Sequence, residues 1–422
     1  MPDRLVLDER RVQAPATPAC AEVRAGSISL ALYDHLDAVE AEWRGLEREA
    51  DCTPFQTFDW LAAWCRHVGP HSRTTPAIMI GRLGDQTLFI FPLAVVTGGI
   101  RRLTFLGYDL SDYNAPLLAR DFSQKVKPED FPALWQACCR LLQGVPQYRH
   151  DLAVFTKMPA VVGAQANPFL TLGVGQNPSN AYLAHLRGTW NEYYEGRRSS
   201  ATRRRDRTKL KRLSELGEVR FITALQRVEI ERTMTVLFQQ KAKSLQRMGV
   251  ADIFARPGWR DFFLDLAANP RTRGLVHVSR LDVGPVWSAI NFGITFRDCY
   301  YHVLASYDDG ETSRFGPGVA HLRDLMRYAI EHGKSRFDFT IGDERYKREW
   351  SDVTTTLYDH VRAARLRGLP AAALIAGVRR LRRAVKQNDT LWTLVSRARA
   401  ALAPKAEASP PSVRKSPPVA PE

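Results

Sequence analysis

Apolar residues follow two rhythms along this chain. Leu36, Val39, Trp43 and Leu46 recur at three- and four-residue spacing and predict a helix over 32–50, with a second over 60–68. The runs 75–83 and 87–96 are apolar and β-branched, and Gly84-Asp85-Gln86 between them predicts a hairpin. A short strand over 102–106, a polar and aromatic loop over 107–114, a strand over 115–118, a helix over 131–142 and a strand over 151–156 follow. The same order then returns. Helical patterns cover 190–216, 228–247 and 257–268 around a strand at 218–222. A hairpin spans 275–281 and 286–296, and strands occupy 299–306 and 336–341. Between those two strands, Val319, Leu322, Leu325, Met326, Ala329 and Ile330 mark a helix that Gly333 ends.

The repetition predicts an α/β protein of two tandem modules, 28–160 and 181–365. Residues 1–27 read as a flexible lead, and 161–180, rich in Gly, Pro, Asn and Ala, as a linker. Residues 353–366 read as a strand. Residues 366–403 read as a basic amphipathic helical extension, with Leu374, Val378, Leu381 and Val385 on one side. Arg379, Arg380, Arg382, Arg383 and Lys386 lie on the other. That extension packs its apolar side on the protein or lies on an anionic membrane surface. Residues 404–422, rich in Pro, Ala and Ser, are expected to be disordered.

Charge narrows the partners. Lys and Arg number 60 against 45 Asp and Glu, a formal net charge of +15. Nine of the bases crowd into 197–212 against one acid, Asp206. Such a surface suits an anionic partner: a nucleotide cofactor, a nucleotide- or lipid-linked sugar, or RNA. The six cysteines show no metal-ligand spacing and suggest a reduced, cytoplasmic setting. The first residues lack the apolar core of a signal peptide, and no apolar run is long enough to span a bilayer.

The candidate chemistry gathers between Cys299 and Trp350. Gly316-Pro317-Gly318 opens the helix that begins near Val319. A glycine loop at a helix N-terminus offers free N–H groups and a favourable dipole to a phosphate. The first module has Arg120–Val126 at the matching place, so only the second is expected to hold a phosphate-bearing cofactor. His302 lies on a strand face with Tyr300 and Leu304, and serves as general base or as a structural histidine. Asp338 points opposite to Phe337 and Phe339 and is a second base, or an orienter. Tyr346 and Lys347 follow a glycine turn. There they could protonate a leaving thiolate and hold an anionic group, or form a solvated turn. Trp60 and Trp64 read as core rather than as a sugar platform, and Cys299 as core.

An antiparallel meander, a glycine loop opening a helix and a diverging strand together resemble the GNAT acyltransferase fold. The doubled order resembles the FemAB-like group, and more closely the acetyltransferases of cellulose and exopolysaccharide synthesis (the CelD type). Phe105-Leu106-Gly107 with Asp112-Tyr113-Asn114, the basic stretch 203–217 and Lys241 carry the likeness in the first part. Tyr301-His302, Tyr307-Asp308, Gly316-Pro317-Gly318, Phe337-Asp338-Phe339, Gly342-Asp343, Tyr346-Lys347 and Trp350 carry it in the second. Gly316 stands where the family commonly has serine, and Pro317 brings no N–H.

The resemblance implies two tandem GNAT-like modules with mixed, mostly antiparallel sheets flanked by helices. It implies acetyl-CoA as co-substrate, no metal, and a small-molecule or glycan acceptor. Main-chain groups of Val303, Leu304 and Ala305 would polarise the thioester carbonyl. Arg314, Phe315, Gly316, Gly318 and Val319 would hold the cofactor. Asp112, Tyr113, Asn114 and Lys241 would line the acceptor side. Two other outcomes are an aminoacyl-tRNA-dependent transferase and a non-catalytic subunit of polysaccharide synthesis. The expected place of work is the cytoplasm, at the periphery of the inner membrane.

Overall fold

A computed structural model of the chain describes residues 19–387. The strands are β1 (Ala21–Ala25), β2 (Ile28–Tyr33), β3 (Thr74–Leu83), β4 (Gln86–Val96), β5 (Arg102–Phe105), β6 (Leu117–Leu118), β7 (Leu152–Pro159), β8 (Val161–Val162) and β9 (Gln165–Ala166). They continue as β10 (Gly175–His185), β11 (Val219–Thr223), β12 (Val276–Val283), β13 (Val286–Phe296), β14 (Cys299–Tyr307), β15 (Arg336–Ile341) and β16 (Val353–Ala363). The helices are α1 (Glu40–Glu47), α2 (Phe58–His67), α3 (Phe122–Lys125), α4 (Phe131–Gly144), α5 (Trp190–Arg197) and α6 (Ser200–Leu216). After them come α7 (Arg227–Arg247), α8 (Trp259–Ala268), α9 (Pro317–Glu331), α10 (Arg345–Trp350) and α11 (Leu369–Gln387).

The two modules share one sheet. Its order is β1-β2-β3-β4-β5-β7-β16-β10-β15-β14-β13-β12-β11, with β6 beside β4. Strand β10 lies between β15 and β16, and β16 pairs antiparallel with β7 of the first module. Each module contains one parallel contact, β5 with β7 and β14 with β15. Parallel strands need a crossover, and α3–α4 and α9 supply it.

Two expectations change here. Ala21–Ala25 is an edge strand paired with β2, joined by a turn in which Gly26 takes φ +63°, so the lead ends before it. Residues 161–180 are not a loose connection. They hold the β8–β9 hairpin, a 3-10 turn that buries Phe169, and the start of β10. The tandem modules also pack in a way that local pattern did not indicate, with one continuous sheet running through both. Polar residues hid β10 from the alternation rule, because its first half, Gly175–Asn180, is partly exposed. The extension beyond Gln387 and the tail 404–422 lie outside the described residues.

Helices α2 and α8 press the modules together on one face of the sheet. Trp60 meets Phe262 edge-on at 4.9 Å, and His67 Nε2 lies 3.0 Å from Asp265 Oδ2. Gly258 marks the closeness: a Cβ there would lie 1.9 Å from the His67 carbonyl oxygen, and its φ is +78°. Trp60 and Trp64 are fully buried, as expected of core. Their indole N–H groups donate to Ser111 Oγ at 3.2 Å and Asp109 Oδ1 at 2.8 Å, which ties the 107–114 loop to α2.

Candidate functional site

The second module opens where β14 and β15 part. They pair from Cys299–Arg336 to Tyr301–Asp338 and no further. Both strands bulge just beyond that point. Against β13, Phe292 pairs with Leu304 and Gly293 with His302, so Val303 is the extra residue. Against β10, Ala181 pairs with Ile341 and Leu183 with Asp338, which leaves one surplus residue in β15. Thr340 absorbs it with φ +58°, an uncommon conformation for a β-branched side chain. Its N–H donates to Asp338 Oδ1 at 2.7 Å and holds the strained turn. Lys157, at the matching end of β7, is the other positive-φ residue here, at +55°, and its N–H donates to Asp359 Oδ1 at 3.0 Å. Strain at two facing strand ends is a feature of sites rather than of cores.

The matching opening in the first module is filled. Past the last parallel pair of β5 and β7, the Phe105 and Phe155 rings meet at 5.0 Å. Phe169 packs on both at 5.3 Å and on Trp135 at 5.1 Å. Aromatic side chains occupy the space that a cofactor would need.

The glycine loop lies where the sequence places it. Gly316 adopts φ +68° and ψ +56° and caps α9. Pro317 has no N–H, while Val319 and Ala320 donate back to the Gly316 carbonyl at 3.1 and 3.3 Å. The Gly318 N–H has no acceptor among the described residues. Lys209 of α6 compensates: its ammonium would be 3.6 Å from a Cβ on Gly316. Helix α6 reaches this place by packing Leu213 and Leu216 with Leu281, Val283, Ala320 and Phe315. Its Arg204, Arg207, Lys209 and Lys211 are exposed and have no carboxylate partner among the described residues. What the loop could offer an anion is therefore one main-chain N–H beside a lysine, not a row of loop amides. Arg314 is turned outward and pairs with Glu311 at 2.6 Å. Phe315 packs on α6, and Val319 sits half-buried in the first turn.

Asp338 is 7% exposed and receives the phenol of Tyr113 at 2.7 Å on Oδ1. Oδ2 carries no hydrogen bond among the described residues. Burial pushes this carboxyl up to about 6, against the Tyr113 and Thr340 hydrogen bonds and the Lys347 charge, which hold it down. Asp112 is half-buried beside the Thr340 side chain, and burial raises it too, against Lys157 and Lys347. Burial lowers Lys157 and Lys241. Lys157 Nζ donates to the Ser111 carbonyl at 2.7 Å. Amines and carboxyls are thus pushed towards each other, an arrangement that suits proton transfer.

His302 does not join Asp338. The Val303 bulge turns β14 over, so Leu304 faces α7 with Ser306 while His302 stays on the α9 face, 6.1 Å from the Phe337 ring. The expected shared face of His302 and Leu304 does not form. Burial, then the Lys347 and Lys241 charges, lower His302 to about 3, so it is neutral at any physiological pH. Tyr346 stands edge-on to His302 at 6.4 Å, and burial raises its phenol. Lys347 is no solvated turn residue. It is 5% exposed, with Nζ 2.8 Å from the Ile341 carbonyl oxygen and 3.2 Å from Glu344 Oε2. Asn114 is buried, and its Nδ2 donates to the Thr156 carbonyl at 2.9 Å.

Residues 200–348 match the family described as an acetyltransferase (GNAT) domain. The match runs from α6 into α10 and so contains Lys209, the glycine loop, Asp338 and Lys347. The fold of the described residues, two tandem GNAT-like modules, resembles that of FemX. The two align at a TM-score of 0.55 with 10% identity over 79% of this chain and 98% of that one. A C-terminal domain of a putative lysylphosphatidylglycerol synthetase from Agrobacterium fabrum aligns at 0.47, with 11% identity over 81% of this chain and 96% of that one. A tandem GNAT protein from the clavulanic acid biosynthesis pathway aligns at 0.40, with 10% identity, covering 80% and 98%. No curated protein matches the chain by sequence.

Lys209, Thr340 and Lys157 were not singled out by residue type. Lys209 was one base among nine. Lys157 alone left a trace, as a charged residue near the end of an apolar strand. Among the described residues no cluster of His, Cys, Asp and Glu could hold a metal, and no helix is long and apolar enough to cross a membrane.

Proposed function

We propose that the protein is an acyltransferase that moves an acetyl group from acetyl-CoA to a hydroxyl or amine of a sugar or cell-envelope precursor. The observation that carries this reading is the double bulge at the parting of β14 and β15, with an anion cradle at one end and Asp338 at the other. The diphosphate of the cofactor lies against Gly318 N–H and Lys209. The thioester then runs along β14, where main-chain N–H groups near the unpaired Val303 polarise its carbonyl. Asp338 takes the acceptor's proton as the new C–O or C–N bond forms. The C–S bond breaks, and the thiolate takes a proton, with Tyr346 as the donor. Asp112, Tyr113 and Lys241 shape the acceptor side, and Lys347 holds negative charge in the opening.

A second reading rests on α6. Four unpaired cations on one helix are more than a single diphosphate requires, and they favour an aminoacyl-tRNA as the acyl donor. A mass-spectrometric acceptor screen with labelled acetyl-CoA, using Asp338→Asn as control, tests the first reading. A thermal shift only with charged tRNA would favour the second, and no shift with either would favour a binding subunit.

A further inference from the structure

Helix α11 leaves part of its apolar surface outside the protein: Ala372, Ile375 and Ala376 are partly buried, yet three large apolar residues are exposed. Leu374, Val378 and Leu381 fall within an arc of about 60° on a helix of 3.6 residues per turn. They face solvent, 68%, 39% and 66% exposed. The side turned to the protein carries Arg379, whose Nε is 3.4 Å from Asp359 Oδ2. Arg379, Arg380 and Arg383 line a groove of about 540 Å³ with Gly173–Gln176. Leu374, Val378 and Leu381 are thus left out of the expected packing on the protein, while Asp359 of β16 draws a guanidinium inward.

A patch of exposed leucines on a monomeric surface needs an occupant. Residues 360–387 hold eight Lys and Arg and no Asp or Glu. A second copy seated on this helix would set arginine against arginine. A bilayer rich in anionic headgroups has the complementary charge and an apolar layer just beneath it. We propose that α11 docks in the plane of an anionic lipid surface. Leu374, Val378 and Leu381 enter the acyl boundary, and the exposed Arg380 and Arg382 meet headgroup phosphates beside the arginine-lined groove. This surface is separate from the acyl-transfer opening and does not rest on that reading.

Flotation of the full chain with vesicles tests it, using phosphatidylcholine alone and phosphatidylcholine with a quarter phosphatidylglycerol. Wild type should partition to the anionic vesicles at least about tenfold more than to the neutral ones, and high salt should suppress it. The triple variant Leu374→Ser, Val378→Ser, Leu381→Ser should lose about tenfold or more in partition, with unchanged thermal unfolding because these side chains are exposed. Arg380→Glu with Arg382→Glu should lose the preference for the anionic vesicles. Equal partition to both vesicles, no partition, or an unaltered triple variant would overturn the proposal. So would a wild-type dimer in light scattering that the triple variant dissolves, because the leucines would then be covered by a second copy.

Discussion

The phenol of Tyr113, in the first module, donates a 2.7 Å hydrogen bond to Asp338 in the second, 225 positions away. The carboxyl at the centre of the proposed site is thus gripped by a residue that the other module supplies. That makes the module interface part of the chemistry.

Tyr113→Phe removes a donor from a buried carboxylate. The loss should cost about 1–3 kcal/mol in denaturant unfolding. It should also raise the Asp338 carboxyl further, since that hydrogen bond holds it down. The acid limb of the kcat/KM profile should therefore move to higher pH. An unmoved limb would mean that Asp338 is not the titrating base.

Asp338→Asn should abolish transfer yet stabilise the fold at neutral pH. The folded carboxyl titrates near 6 against an ordinary 3.8, so the folded state binds the proton more tightly. Its stabilising contribution is complete below pH 3.8 and is lost as pH rises through about 6. The ionised form at pH 7 then costs about 3 kcal/mol, with the hydrogen bonds already counted in that shift. Unfolding of wild type and variant at pH 4 and pH 7 separates the two: the variant should gain only at pH 7.

His302→Gln should leave the acid limb in place, because His302 is lowered to about 3 and stays neutral through the working range. A limb near pH 6 that disappears in this variant would return the base role to the histidine.

Lys209→Met should weaken acetyl-CoA binding by roughly tenfold, the scale of a charge-assisted contact, with no change in thermal unfolding. Gly316→Ala should instead destabilise the fold by about 1–2 kcal/mol, since φ is +68° there. Isothermal titration with acetyl-CoA distinguishes them, and unchanged affinity in Lys209→Met would remove Lys209 from the cradle.

Thr340→Gly should relax the turn at φ +58° and leave stability equal or higher, while transfer slows because Asp112 loses the Thr340 side chain and the Asp338 bracket loosens with the turn. Full activity in this variant would show that the strain has no functional use.

Local pattern disclosed the helices, the hairpins and the glycine loop, because period and turn chemistry act over a few residues. Gly316, Asp338 and Tyr113 were readable for that reason: a loop before a helix, a carboxylate opposite two phenylalanines, a polar cluster after a strand. Lys209, Lys157 and Thr340 were not. Their roles come from a helix end, a strand end and a backbone strain that meet only after folding. Asn114, legible as a polar candidate, proved to be a bracket for β7 once its partner was known.

By itself, then, the sequence determined the two GNAT-like modules, the glycine loop before α9 and the residue types at the opening. Tertiary structure decided that one sheet joins the modules through the β16–β7 pair and that a bulge at Val303 puts Leu304 on the face opposite His302. It also decided that Tyr113 reaches across to that carboxyl and that α11 shows its leucines to solvent. The physical reason is that alternation sets which face a residue takes only while the register holds. One surplus residue reverses the face, and only the partner strand shows where that residue lies.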